Sequence, residues 1–145
     1  MKSKSVEVLL VEDDPGDIEL MEIAFQRSQL LIPLKVVNDG EEAIAYLRKQ
    51  GEYANAVEPD LILLDLNLPR LNGQEVLQAI KSDEQLKHIP VVILTTSKAQ
   101  EEVMKSYNLG ASAYMTKPVD MEGFSTIVKS LDSFWFTVVK FPCRY

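Results

Sequence analysis

The chain has 145 residues, of which 46% are hydrophobic and 26% are charged, and its formal net charge is −7 at pH 7. This length favours one domain, and the negative charge argues against nucleic acid and anionic membranes as partners, because both bind basic surfaces. The single cysteine excludes an intrachain disulfide, and the lack of a signal peptide or of an apolar run near ~18 residues predicts a cytoplasmic protein.

Five short apolar runs alternate along the chain with segments of helical periodicity. The runs are Val6–Val11, Leu34–Val37, Leu61–Leu64, Val91–Leu94 and Ala113–Met115. Near-continuous runs such as LILL and VVIL are typical of parallel strands that helices cover on both faces. The alternation predicts an α/β fold, a (βα)5 doubly wound parallel five-stranded sheet with the flavodoxin-like strand order 2-1-3-4-5. We expect this domain to span residues 1–133, with a flexible start at 1–4.

Acidic residues follow two of the predicted strands. Glu12, Asp13 and Asp14 come after the first strand, and Asp65 comes directly after the third. In the order 2-1-3-4-5 these strands are neighbours, and such sheets bind ligands at their carboxyl edge, where the chain changes direction. Strands ~4.8 Å apart would bring several carboxylates together, which is unfavourable without a cation. Because Mg²⁺ prefers oxygen ligands, the sequence predicts a site for Mg²⁺ or Mn²⁺ here.

The fourth and fifth strands end in groups that suit a phosphoryl group. Thr95 and Thr96 offer hydroxyls, and Lys117 offers an ammonium. A carboxylate can act as the nucleophile in phosphoryl transfer, which depends on positioning and on Mg²⁺ and lysine to neutralise charge. Taken alone, each of these residues is common in turns, strands and helix caps, but their joint order is specific. We therefore interpret Asp65 as a phosphate acceptor, with Thr95 and Lys117 as its catalytic neighbours.

The motifs LLVEDD, LILLDLNLPRLNG, VVILTTS and AYMTKP resemble the response-regulator receiver domains of two-component signalling, and residues 5 to about 133 match that family in spacing. The resemblance implies that Asp65 is the phospho-acceptor and that Mg²⁺ binds beside it. It also implies the other metal ligands: Asp13 directly, Glu12 through water, and Asn67 through its backbone carbonyl.

The same resemblance implies a switch at the fourth and fifth strands. Thr95 would move its hydroxyl to the phosphoryl group, with which Lys117 would also pair. Tyr114 would swing inward as Thr95 moves; the alternative is an ordinary half-buried strand aromatic. The family pattern also implies a cis bond between Lys117 and Pro118, a geometry largely confined to proline.

The stretches GEYANAVEPDLILLDLNLPRLNG and SFWFTVVKFP resemble, more narrowly, the single-domain regulators that pair with cyanobacterial phytochrome-type histidine kinases. This implies that the phosphodonor is a histidine on a light-sensing sensor histidine kinase. Signalling would then run through docking to the kinase, self-association or a histidine phosphotransfer protein. The sequence leaves open which of these applies, and also the cognate kinase, the downstream target and the lifetime of the phosphoryl group.

Residues 134–145 extend beyond a minimal receiver. Phe134 lies near the margin of the last helical stripe, and Phe136 lies well off it. Aromatic residues that the core cannot absorb predict an exposed apolar patch, and such patches mark interfaces. We predict a homodimer formed by the fourth helix, the fifth strand, the fifth helix and this extension, with Phe134, Phe136 and Phe141 at the interface. The alternative is an extension that folds back over its own domain.

Three other functions would use similar chemistry or the same fold. A phosphatase with an aspartyl nucleophile usually has a second acid two residues later, and Asn67 stands at that position. A flavin carrier would have a Ser/Thr/Gly-rich phosphate loop after the first strand, where the acidic residues 12–14 would repel phosphate. A receiver-like binding module would not need the complete set of acceptor, metal ligands, hydroxyl and lysine. We therefore expect a phosphorylation-activated signalling switch, not an enzyme with a metabolic substrate.

Overall fold

The structure, a computed structural model, describes residues 6–28, 33–118 and 120–131. The predicted flexible start at 1–4 and the predicted interface residues Phe134, Phe136 and Phe141 lie outside these ranges. Within them, no helix combines the length and the apolar character needed to cross a membrane.

Strands and helices alternate along the described chain. The strands are β1 (Val8–Val11), β2 (Leu34–Val37), β3 (Leu61–Asp65), β4 (Val91–Thr95) and β5 (Ala113–Thr116). The α-helices are α1 (Pro15–Arg27), α2 (Gly40–Leu47), α3 (Gly73–Ser82), α4 (Lys98–Tyr107) and α5 (Met121–Ser130), and Gly51–Tyr53 form a short 3₁₀ turn.

All five strands form one parallel sheet in the order β2-β1-β3-β4-β5, which confirms the predicted fold. The three inner strands are buried at every position, whereas the edge strands β2 and β5 are partly exposed. The last three strands extend one residue further than the apolar runs indicated. Asp65, Thr95 and Thr116 are therefore the final residues of their strands, and the sheet itself holds their backbones.

Hydrophobic clusters cover both faces of the sheet. Alternate residues of β1 point to opposite faces, so Leu9 and Val11 pack with α2, α3 and α4, whereas Val8 and Leu10 pack with α1 and α5. Burial on two faces explains why these strands read as continuous apolar runs.

Each α-helix begins at a side-chain cap close to the carboxyl edge of the sheet. The cap residues, whose side chains accept backbone N–H bonds of the first turn, are Asp14, Asp39, Asn72, Ser97 and Asp120. Such caps satisfy backbone donors that a helix cannot pair internally. They fix where the chain leaves each strand, and so they define the loops that surround the carboxyl ends of β1, β3, β4 and β5.

Candidate functional site

Three carboxylates meet where β1 and β3 end. Ligand oxygens of Glu12, Asp13 and Asp65 all lie within 4.8 Å of one another. Glu12 and Asp65 are each only 2% exposed, and Asp13 is exposed. The backbone N–H groups of Asp13 and Asp14 both donate to Glu12 Oε2 at 3.1 Å, which fixes that carboxylate. A compact set of carboxylate oxygens, partly open to solvent, fits a hard divalent cation such as Mg²⁺ or Mn²⁺.

Asn67 stands two residues beyond Asp65, with its side chain exposed. Its backbone N–H donates to Asp65 Oδ1 at 3.3 Å, in the manner of an aspartate-initiated turn. This bond orients the carboxylate of Asp65 and keeps residue 67 at the same edge of the sheet. The backbone carbonyl of Asn67 stays our predicted further metal ligand.

Lys117 enters the carboxylate cluster from the end of β5. Its ammonium lies 2.9 Å from Glu12 Oε1, 2.9 Å from Asp17 Oδ2 and 3.2 Å from Asp65 Oδ2, and its side chain is 13% exposed. Asp17, in the first turn of α1, is a contact that sequence reasoning missed. The acid looked like an ordinary residue of a helix N-terminus, and no pattern in the sequence shows which loop that turn faces.

The peptide bond between Lys117 and Pro118 is trans, because the described residues contain no cis peptide bond. The expectation of a cis bond was therefore wrong for this structure. The backbone N–H of Lys117 donates to the carbonyl of Thr95 at 2.7 Å, so the β4–β5 ladder continues up to the lysine. That backbone bond, together with the carboxylates, holds Lys117 at the site.

Thr95 is fully buried at the end of β4. Its hydroxyl is 3.1 Å from the backbone carbonyl of Ser97 and 3.4 Å from that of Met115, and it donates to these two acceptors. Neither acceptor belongs to the carboxylate cluster. The hydroxyl is thus engaged with the start of α4 and with β5, and it would have to leave these carbonyls to reach a group on Asp65.

Tyr114 lies on β5, partly buried, and packs against the hydrophobic cluster under α2, α3 and α4. Its hydroxyl is buried and has no hydrogen-bond partner among the described residues. The ring therefore points into the protein here. A buried phenol without a partner is unfavourable, which is consistent with a position that the side chain can leave.

Residues 8–129 match the family model of the response regulator receiver domain. The chain belongs to this family. Response regulator Rcp1 of Synechocystis sp. is 43% identical to it over 135 residues, a match that covers 93% of this chain and 92% of Rcp1.

Solved structures of response regulators resemble this receiver domain closely. The phosphorylated cyanobacterial phytochrome response regulator RcpA superimposes with a TM-score of 0.88 at 46% identity, over 97% of this chain and 100% of RcpA. The Mn²⁺-bound form of Rcp1 gives a TM-score of 0.84 at 42% identity, over 95% of this chain and 99% of that chain. The predicted family and the relation to phytochrome response regulators are both confirmed.

The electrostatics of the site reflect an excess of negative charge. Burial, together with the charge of Asp65, raises the pKa of Glu12 to about 7, although the hydrogen bond from Lys117 opposes this shift. Burial alone would lower the pKa of Lys117, but its bonds to Glu12 and Asp17 and the charge of Asp65 outweigh burial and raise that pKa above its ordinary value. Lys117 is therefore a firmly protonated cation that does not neutralise the cluster by itself. This imbalance favours a bound dication.

Another buried carboxylate, that of Glu101 on α4, lies next to this site. It accepts a hydrogen bond from Thr116 Oγ1 at 2.9 Å and pairs with Lys98 at 3.1 Å and Lys105 at 2.9 Å. Burial would raise the pKa of Glu101, but these three donors overcome it and lower the pKa to about 2. Thr116 stands opposite Thr95 in the β4–β5 register, so Glu101 fixes α4 to β5 beside the hydroxyl of Thr95. The spacing of the two lysines at i−3 and i+4 was a sequence signal for an ion-paired helix face, but not for contact with β5.

Proposed function

We propose that this receiver domain accepts a phosphoryl group on Asp65 from a histidine of a sensor histidine kinase, with Mg²⁺ held by Glu12, Asp13, Asp65 and Asn67. The observation that carries the proposal is the position of the Asp65 carboxylate. It is buried at a strand end, 3.2 Å from the ammonium of Lys117 and within 4.8 Å of oxygens of two other acids. A nucleophile, a cation and a set of metal ligands thus lie close enough together to contact the same incoming phosphoryl group.

The chemistry of the transfer is simple in outline. An oxygen of Asp65 attacks phosphorus, a P–O bond forms, and the P–N bond of the phosphohistidine breaks with its electron pair returning to the imidazole. Lys117 donates to a phosphoryl oxygen and neutralises part of its charge. Bound Mg²⁺ supplies further neutralisation of phosphoryl and carboxylate oxygens. The buried strand end holds the nucleophile fixed, which supplies the positioning on which phosphoryl transfer depends.

Phosphorylation of Asp65 would change the surface formed by α4 and β5, and Thr95 would transmit this change. Its hydroxyl would exchange the carbonyls of Ser97 and Met115 for a phosphoryl oxygen, and this exchange would release the connection between β4 and α4. Tyr114, whose hydroxyl lacks a partner among the described residues, would change its position with Thr95. A group bound at Asp65 would thereby shift the population of two arrangements of α4 and β5.

The relation to RcpA supports a phytochrome-type kinase as the phosphodonor, because RcpA is a cyanobacterial phytochrome response regulator. Homodimerisation through α4, β5, α5 and residues 134–145 is also part of this proposal. Size-exclusion chromatography with light scattering tests it on the full chain, on Phe136→Ser and on both after phosphorylation. A monomeric wild-type protein in both states would contradict the dimer, and a histidine phosphotransfer protein would then be the partner to test.

The decisive experiment is incubation with acetyl phosphate, with Mg²⁺ or with EDTA, followed by intact-mass measurement. Wild type should gain the mass of one phosphoryl group only with Mg²⁺, and Asp65→Asn should gain none. Asp60→Asn is a matched control, because Asp60 is equally buried at 2% exposure but precedes the opposite end of β3. It should still accept the group. An adduct in both wild type and Asp65→Asn, or in neither, would contradict the assignment of Asp65.

A further inference from the structure

The ammonium of Lys117 contacts three carboxylates, and they differ in what else they do. Glu12 and Asp65 belong to the candidate metal cluster with Asp13, whereas the third carboxylate, that of Asp17, does not. A lysine ammonium has three hydrogen-bond donors. Asp17 on α1 and Asp65 on β3 accept hydrogen bonds from the ammonium at 2.9 and 3.2 Å. Glu12, on the segment after β1, is its ion-pair partner at 2.9 Å.

A dication at this cluster would compete with Lys117 for two of its three partners. It would take oxygens of Glu12 and Asp65, and it would also repel the ammonium, because like charges at short range disfavour each other. The ammonium would tend to leave just when it is needed beside the phosphoryl group. The carboxylate of Asp17 is the partner that the metal does not claim.

Asp17 is well placed to keep the lysine in position. It lies in the first turn of α1, where a negative side chain is favoured by the helix dipole. Its backbone N–H donates to Asp14 Oδ1 at 3.3 Å, so the cap of the helix fixes its main chain. Its side chain is 21% exposed and that of Lys117 is 13% exposed, and an ion pair that is mostly shielded in this way is screened less by salt than one at the surface.

We infer that Asp17 is a positioning residue, which holds the ammonium of Lys117 at the carboxyl edge of the sheet while a divalent cation occupies the oxygens of Glu12 and Asp65. The inference rests on the proposed function for its consequence in phosphoryl transfer. The contact itself is a property of the folded chain and can be measured without any phosphodonor.

The first test is the rate of phosphorylation by acetyl phosphate at saturating Mg²⁺. Asp17→Ala should lower this rate about tenfold, the effect of a coupling energy of ordinary size between contacting residues. Asp17→Asn should lower it less, because the amide oxygen can still accept from the ammonium. Asp14→Asn is the matched control. It removes the same charge from the same turn and keeps a side chain that can cap the N–H groups of Gly16 and Asp17. The contacts of Lys117 are with Glu12, Asp17 and Asp65 instead, so the rate of Asp14→Asn should stay within about twofold of wild type.

A double-mutant cycle distinguishes positioning from a general structural effect. If Asp17 acts through Lys117, Asp17→Ala should have no further effect in a Lys117→Ala background. An equal further loss in that background would overturn the inference. Thermal unfolding of each variant identifies those that are folded, and Asp17→Asn replaces Asp17→Ala in the cycle where the latter is not.

The second readout is the nitrogen resonance of the Lys117 ammonium in buffer that contains Mg²⁺ and no phosphodonor. Carboxylate partners slow proton exchange, so the resonance should be visible in wild type and in Asp14→Asn and lost in Asp17→Ala. If wild type accepts no phosphoryl group, the proposed function fails, and this resonance still decides the role of Asp17. If wild type is phosphorylated and Asp17→Ala matches it in both rate and resonance, the role of Asp17 alone is overturned.

Discussion

Gly73, the first residue of α3, packs directly against the backbone of Asp65. A Cβ atom at position 73 would lie 2.4 Å from the carbonyl oxygen of Asp65 and 2.6 Å from the Cα of Leu66. The N–H of Gly73 donates to the carbonyl of Leu66 at 2.9 Å, which closes the loop between them. The start of α3 thus packs on the backbone of Asp65 and Leu66, and glycine is the residue that permits this distance.

Gly73→Ala should therefore lower both the free energy of unfolding and the phosphorylation of Asp65. The added methyl group meets backbone atoms that no side-chain rotation can move away, so we expect a loss of about 2–3 kcal/mol in the free energy of unfolding. Urea denaturation measures this loss, and phosphorylation by acetyl phosphate should fall with it. Gly16→Ala is the control, because its Cβ would meet only the side chain of Asp14, at 3.3 Å. Equal stability of the two variants would contradict the close-packing explanation.

Mg²⁺ should stabilise the folded protein through the cluster of Glu12, Asp13 and Asp65. A ligand that binds the folded state alone adds about 2.7 kcal/mol at a concentration of about 100 times its Kd. We expect Mg²⁺ to raise the Tm of wild type, and Asp13→Asn to abolish most of this rise, because it removes an exposed ligand of the cluster.

Asp14→Asn is the matched control for the metal experiment. Asp14 is the next residue, caps α1 and lies outside the three-carboxylate cluster. It should retain the Mg²⁺-dependent rise in Tm. A rise of equal size in Asp13→Asn would show that Mg²⁺ binds elsewhere, and equal loss in both variants would indicate a general effect of charge.

The sequence predicted the sheet, and the residues that meet at its edge, for a physical reason. Strands buried on both faces show as continuous apolar runs, and parallel order places all their carboxyl ends on one side. Asp65, Thr95 and Lys117 could be located because each stands at or next to the end of such a run. Their chemical neighbours along the sheet then follow from strand order alone.

Contacts that depend on how helices rotate over the sheet could not be predicted in this way. Asp17 meets Lys117 a hundred residues later in the chain, and Glu101 meets Thr116 across α4 and β5. In the sequence, each acid looks like an ordinary polar helix residue. Helical periodicity predicts which side of the helix a residue lies on, but not which residue of another element it contacts. The geometry of the bond before Pro118 depends likewise on the loop around it, and the family pattern was not a reliable guide to it.

Thr95→Val should allow phosphorylation of Asp65 but prevent the change in α4 and β5 that follows it in wild type. Valine keeps the buried volume and loses the hydroxyl that donates to Ser97 and Met115, so we expect a loss of about 1 kcal/mol in the free energy of unfolding. Asp65 should still accept a phosphoryl group. Hydrogen exchange of α4 and β5 should change on phosphorylation in wild type and stay unchanged in Thr95→Val.

Thr96→Val is the control for the switch experiment. The hydroxyl of Thr96 is exposed and bonds to Gln100 Oε1 at 3.0 Å, away from the carboxylate cluster. This variant should show the wild-type change in hydrogen exchange. A full response in Thr95→Val would remove Thr95 from the switch, whatever its effect on stability.

Glu101→Gln should destabilise the protein in a manner that depends on pH. The pKa of Glu101 falls from 4.5 to about 2 in the folded protein, so the folded state binds this proton less tightly than the unfolded state does. The stabilisation is therefore complete above about pH 4.5 and is lost as the pH falls toward about 2. Lys98 and Lys105 have exposed side chains, so solvent screening reduces the contribution of these two ion pairs to the free energy of unfolding. From the weakening of the remaining hydrogen bond, that of Thr116, we expect a loss of about 1–2 kcal/mol at neutral pH.

Urea denaturation of wild type and Glu101→Gln at a series of pH values tests this dependence. The difference between the two proteins should be constant at neutral pH and should narrow below about pH 4.5, because the unfolded wild type then takes up the proton of Glu101 while the folded protein stays ionised until about pH 2. Glu102→Gln changes the exposed neighbour on the same helix and should shift stability by no more than about 0.5 kcal/mol. A difference for Glu101→Gln that stays constant into acid would mean that the carboxylate stabilises α4 by its shape and not by its charge. The charge of Glu101 would then not be what strengthens its hydrogen bond to Thr116 of β5.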